Sequence, residues 1–147
     1  MKIDITKTAL ENIVLQVIED NPGLTLSASQ VTASDLAVFG GVQNTQVTLT
    51  AIPGQGFSGT DVVYYDRMGI NDGIGPDVTS VEVLLTDDQT AVEVKVAAAM
   101  GLRFDELAFS DYTPAVNAST PGVIGVSPKP TSMLYMGGGV YITITVT

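Results

Sequence analysis

Ile3-Asp4-Ile5-Thr6-Lys7-Thr8-Ala9-Leu10-Glu11, near the start of the chain, is answered 78 residues later by Val81-Glu82-Val83-Leu84-Leu85-Thr86-Asp87-Asp88-Gln89. Each stretch opens with an apolar–acidic–apolar alternation, the period of a strand, and runs into a Thr-x-x-Glu/Gln group, Thr8 to Glu11 and Thr86 to Gln89. Such a group opens a helix, because the threonine hydroxyl accepts from the backbone N–H three residues on while the Glu or Gln reaches back to the threonine N–H. The pattern predicts a first strand at Lys2-Ile3-Asp4-Ile5 and two passages from strand to capped helix.

The same shift of 78 holds further along the chain. The first helix carries Leu10, Ile13, Val14, Val17 and Ile18 as one apolar stripe and stops at Asn21-Pro22-Gly23. The second, from about Asp88 to Met100, places Ala91, Val92, Val96 and Ala99 on one side and stops at Gly101. Apolar alternation resumes at Gly23-Leu24-Thr25-Leu26 and at Gly101-Leu102-Arg103-Phe104. Later, Phe57-Ser58-Gly59 precedes Val62-Val63-Tyr64-Tyr65, as Tyr135-Met136-Gly137 precedes Val140-Tyr141-Ile142-Thr143-Ile144. Between them, Asn44 to Ile52 is a strong strand, whereas Gly122 to Ser127 is shorter and bracketed by Pro114, Pro121, Pro128 and Pro130, so that 111–132 reads as the most loop-like part. Gly54-Gln55-Gly56 and Gly137-Gly138-Gly139 each precede a strand and read as turns, without the helix and lysine of a phosphate loop.

The expected fold is therefore α+β. Two tandem related units, 2–69 and 80–147, joined by a Gly/Asp/Pro-containing linker at 70–79, each comprise a small, mostly antiparallel sheet with one covering helix. Units this small sustain only a marginal core alone, so they are expected to pack together.

Composition narrows the function. The 147 residues carry a net charge of −10 with only six basic side chains, which leaves no basic stripe for nucleic acid phosphates. There is no histidine and no cysteine, so disulfides, thiolate metal sites and most nucleophile–base pairs cannot be built. No signal-like start is present, and every apolar run falls short of the roughly 18 residues a membrane span needs, so a soluble protein made in a cytosol is expected, with no membrane partner.

Few residues invite chemistry. Asn71-Asp72-Gly73-Ile74-Gly75-Pro76-Asp77 gathers oxygen donors suited to a hard cation but lacks a twelve-residue loop with closing glutamate, and an ordinary inter-repeat turn accounts for it better. Asp87-Asp88 suits the positive end of a helix dipole. Asp105, Glu106 and Asp111 could form a carboxylate pair for glycoside hydrolysis, but with no tryptophan a sugar-stacking cleft would be poorly furnished. No catalytic residue, cofactor or metal is assigned. The candidates for partner contacts are Tyr64, Tyr65, Tyr112, Met133, Leu134, Tyr135 and Met136, since aromatic residues and methionine are enriched at interface cores, although about half of these should simply be core.

The segments Thr86 to Phe104, Gly23 to Val31, Asn44 to Pro53 and Gly56 to Asp66 resemble a repeated domain of virion structural proteins of tailed bacteriophages, particularly large ones; the proline-rich 113–130 stretch departs from that pattern. The resemblance implies a particle component, a capsid decoration protein or a tail or fibre accessory, that binds major capsid or tail subunits without catalysis and could self-associate in the particle. It would be made in the host bacterial cytoplasm and end in the virion. A carbohydrate- or receptor-binding adhesin module is the alternative, and measurable glycan or cation binding would favour it.

Overall fold

Thr8 caps the first helix as its sequence demands. In the computed structural model, which describes residues 1–70, 78–112 and 122–147, the Thr8 hydroxyl accepts from Glu11 N, and Thr8 N donates to the Glu11 carboxylate at 2.6 Å. The helix, α1 (Ala9–Asp20), ends at Asn21. It buries Ala9, Asn12, Ile13 and Val14, all in its first half, while Leu10, Val17 and Ile18 of the expected stripe are only half-buried.

The expected first strand is absent. Asn12, fully buried, accepts from Asp4 N at 2.7 Å and donates to Asp4 O at 3.0 Å. One side-chain amide thus satisfies the backbone groups that a neighbouring strand would otherwise take, and the chain approaches the helix without a ladder. Nor does a strand start at Gly23-Leu24-Thr25-Leu26. That stretch leads to a 3₁₀ turn, Ala28–Gln30, and the strand follows it as β1 (Val31–Val38). A bulge between Ser34 and Ala37, with Asp35 at φ 52°, bends β1. Two further strands, β2 (Thr45–Ala51) and β3 (Thr60–Tyr65), complete an antiparallel sheet in the order β1-β2-β3. The turn between β2 and β3 holds Gly54 and Gly56 at positive φ, a conformation glycine adopts without steric cost. Val47 and Leu49 are buried on the inner face, and Thr48 and Thr50 alternate to the other side.

These elements make one compact unit, Met1–Arg67; the second is Met68–Thr147. The second opens with β4 (Met68–Gly69) and β5 (Ser80–Val83) and continues with α2 (Gln89–Met100). The helix is capped by Asp88, whose carboxylate accepts from Ala91 N at 2.8 Å, and not by the Thr86–Gln89 box. Asp87 instead pairs with Lys95, and Gln89 turns sideways to Glu93 and to the backbone of Ser110 and Tyr112. The buried face of α2 is Val92, Val96, Ala97 and Met100, so Ala91 and Ala99 are less enclosed than the sequence pattern implied. Gly101 ends the helix at φ 66° in the left-handed region.

A 3₁₀ turn, Phe104–Glu106, not a strand, follows Leu102 and leads into β6 (Leu107–Phe109). Next comes β7 (Gly122–Pro128), a full seven-residue strand inside the region that reads as loop-like, followed by β8 (Tyr135–Met136) and β9 (Val140–Val146). The sheet order is β5-β9-β7-β6, with β5 parallel to β9 and the other neighbours antiparallel; β4 and β8 form a separate parallel pair. Glycines and flanking prolines hide β7 in the sequence, yet its alternation buries Gly122, Ile124 and Val126. Ile124, Ile142 and Ile144 are at most 2 % exposed, and burial of each such side chain contributes roughly 1.5–3 kcal/mol. The chain is thus α+β, with two α-helices and mostly antiparallel sheets among the described residues.

Candidate partner-binding surface

In the first unit the register of the sheet decides what the inner face offers. Directly opposed residues of an antiparallel pair share a face, so Ala33, Leu49 and Asp61 form one row across the sheet and Val47 and Val63 part of the next. The first row combines a small residue, a leucine and a carboxylate, and does not fill the space beneath the second half of α1. What results is an open groove of about 400 Å³, walled by Val17 of α1, Leu24, Leu26, Val31, Leu49 and Val63, with Phe57 and Asp61 on the β2–β3 side. Asp61 is exposed, and its carboxylate accepts from Val62 N at 2.9 Å.

On the outer face, Tyr64 (43 % exposed) lies with its ring centroid 4.6 Å from that of Phe39. Val62 is exposed on the same face, and Val38 and Val42 stand in solvent close by in sequence.

The contact residues singled out from the sequence divide by burial. Tyr65, Leu134 and Tyr135 lie in the interior, at 2 %, 0 % and 0 % exposure. Arg103 N donates to the Tyr135 hydroxyl at 3.0 Å, and burial pushes the Tyr135 phenol above its ordinary pKa. Tyr112, Met133 and Met136 are half-buried, and Tyr64 is the exposed member of the set. As placed, Tyr65, Leu134 and Tyr135 present no surface to a partner. The groove residues Val17, Leu24, Leu49, Phe57, Asp61 and Val63 were not singled out from the sequence. The available signal was Asp61 itself, a charge at an inward position of a strand.

The acidic candidates have structural partners. Asp105 holds Arg103 through two contacts of 2.8 and 2.6 Å, and this guanidinium keeps its carboxyl below the usual carboxylate range. Glu106 turns the other way, accepting from Ser132 Oγ at 2.6 Å, Met133 N at 2.7 Å and Leu134 N at 3.3 Å, and so pins the loop that carries Leu134 and Tyr135. Asp111 is exposed. The Asn71–Asp77 loop lies outside the described residues. Among the described residues, no group of three carboxylates, histidines or cysteines is placed to hold a metal, and no helix is long and apolar enough to cross a membrane.

The chain belongs to DUF7941, a family of unknown function. The match runs over residues 3–144 and so takes in both units, the groove and the Glu106-pinned loop. No curated protein and no solved structure matches the chain.

Proposed function

We propose that this chain is a structural protein of a tailed-bacteriophage particle, a capsid decoration protein or a tail or fibre accessory, and that it works by binding other virion proteins. Its chemistry is adhesion without turnover. The observation that carries the binding reading is the open apolar groove of the first unit, since an uncovered cleft walled by valine and leucine gains free energy when a partner removes it from water. The exposed Tyr64, packed against a half-buried Phe39 on the opposite face, supplies a second patch of the kind found at interfaces.

The same reading treats the units as two versions of one fold. Support comes from the ladders: Val31–Ala51 corresponds to Leu107–Pro128, Ala33–Leu49–Asp61 to Phe109–Val126–Val140, and Val47–Val63 to Ile124–Ile142. In both, a helix, a 3₁₀ turn and three antiparallel strands, β1-β2-β3 and β6-β7-β9, follow in the same order, the second unit adding β8 between β7 and β9 and β5 beside β9. A chain with two versions of one binding fold suits a lattice that repeats its sites.

Quantitative mass spectrometry of gradient-purified particles from the phage or cell that encodes the chain tests the virion reading. Hundreds of copies per particle place the protein on the capsid, and a small multiple of three or six places it on the tail. Absence from particles overturns the reading.

A further inference from the structure

The loop between β2 and β3, residues 52–59, has eight residues, whereas the loop between β7 and β9, residues 129–139, has eleven. Both are clasped by the 3₁₀ turn of their own unit. Ile52 N donates to Gln30 O at 2.8 Å and Gln30 Nε2 to Gln55 O at 2.7 Å; Lys129 N donates to Glu106 O at 3.0 Å, while the Glu106 carboxylate takes Ser132, Met133 and Leu134. The longer stretch, which includes β8, places Leu134 and Tyr135 in the interior of the second unit, where Met100 of the helix and Val126 of the row Phe109–Val126–Val140 are buried too. At the corresponding places the first unit has a half-buried Phe57, an exposed Asp20 at the end of α1, and the row Ala33–Leu49–Asp61. The groove opens beside this shorter loop, whose Phe57, Ser58 and Gly59 form part of its wall.

We propose that the groove of the first unit is a docking slot for an extended segment of a partner protein. That segment presents a large apolar or aromatic side chain, as Leu134–Tyr135 do within the second unit, with a lysine or arginine nearby that meets Asp61. The apolar walls specify the first requirement. Charge specifies the second, because Asp61 is the charged residue of the lining and the chain as a whole carries −10. The slot rests on the protein-binding reading given above, but not on where in a particle the partner sits.

The chain contains a ready probe. Residues 129–137, Lys-Pro-Thr-Ser-Met-Leu-Tyr-Met-Gly, carry a lysine together with the leucine–tyrosine pair. A synthetic peptide of that sequence, titrated into the full-length protein and followed by amide chemical shifts, is expected to bind saturably and weakly, with a dissociation constant on the order of 100 µM, since a short flexible peptide loses its freedom on binding. The shifts should fall on Val17, Leu24, Leu49 and Val63. Ala51→Phe, which fills the groove from its wall, should weaken binding by roughly tenfold or more. Asp61→Asn should weaken it about two- to fivefold at low salt and remove most of its salt dependence. Leu85→Ala, at an exposed position of the second unit, should leave it unchanged, and the dispersion of each variant's amide spectrum reports whether it is folded.

Absence of saturation into the millimolar range, shifts confined to the second unit, or full binding by folded Ala51→Phe protein would each overturn the slot. The outcomes separate from those of the particle experiment. A protein absent from particles that still binds the peptide loses the virion reading and keeps the slot; one present in particles that ignores the peptide does the reverse.

Discussion

Each unit contains a three-strand antiparallel ladder, β1-β2-β3 in the first and β6-β7-β9 in the second, and the surroundings of the two differ. In the second, Met100, Leu134 and Tyr135 are all buried, and Glu106 holds the loop that carries Leu134 and Tyr135. In the first, the row around Leu49 runs from Ala33 to Asp61, the loop after β2 carries a half-buried Phe57, and the cleft lined by Leu49, Phe57 and Asp61 stays open. A three-strand antiparallel ladder thus accompanies a fully buried Leu134–Tyr135 pair in one unit and an open groove in the other. The charged residue that lines the open groove is Asp61, at the β3 end of the Leu49 row.

That contrast is open to direct attack. The largest effect is expected from the buried pair: Tyr135→Ala should destabilise the protein by roughly 3–5 kcal/mol, because it empties a fully enclosed aromatic site. Phe57→Ala, at a half-buried position, should cost less than about 1.5 kcal/mol. Equal losses in urea unfolding would mean that the two loops do the same work, and the contrast would fail.

A smaller gap separates the two clasps. Glu106→Ala removes a carboxylate that accepts from three donors, of which Leu134 N keeps Ser132 Oγ at 3.4 Å, and should cost about 2–3 kcal/mol, against about 1 kcal/mol for Gln30→Ala. Both are read from unfolding midpoints at an unchanged slope, and a reversal of the order would show that the loop is held by its apolar side chains alone.

The smallest effect is that of pH. Lys95 holds the Asp87 carboxyl, and Arg103 the Asp105 carboxyl, below the ordinary value of about 3.9. A carboxylate whose pKa is depressed on folding adds stability that is present above its unfolded pKa and lost as pH falls through the folded one. Urea midpoints should accordingly be flat from pH 7 to about pH 5 and decline below about pH 4, with less decline at high salt. In Asp105→Asn protein the decline should be shallower than in the wild type.

Much of this architecture could be read from residue types, and the failures have definite causes. The cap at Thr8, the left-handed stop at Gly101 and the strands around Val47, Val63 and Ile142 follow from local rules that tertiary structure does not override. A single shift of 78 misled at the second helix. The actual caps, Thr8 and Asp88, lie 80 residues apart, whereas β1 and β6 start 76 apart, so Thr86 was placed where Asp88 belongs. Strand β1 was obscured because Thr32-Ala33-Ser34-Asp35 has neither bulk nor clean alternation and bends at a bulge. Residues 2–5 look like a strand by themselves, and only the buried Asn12, a neighbour in space, relieves them of one. The groove could not be read locally either, since it depends on which residue of β3 lies opposite Leu49, a matter of register that no window of the sequence contains.

Asp61 has a consequence beyond the groove. A three-stranded sheet has two raw edges, each able to recruit a strand from any neighbouring molecule. On β3 an inward-facing carboxylate would be trapped against apolar neighbours if a second sheet docked there, and on β1 the kink at Asp35 twists the other edge out of line. The second sheet guards itself differently, ending in the short strands β5 and β6, of four and three residues. Wherever many copies are held close together, the first unit can thus keep an exposed apolar cleft without its sheets growing into one another.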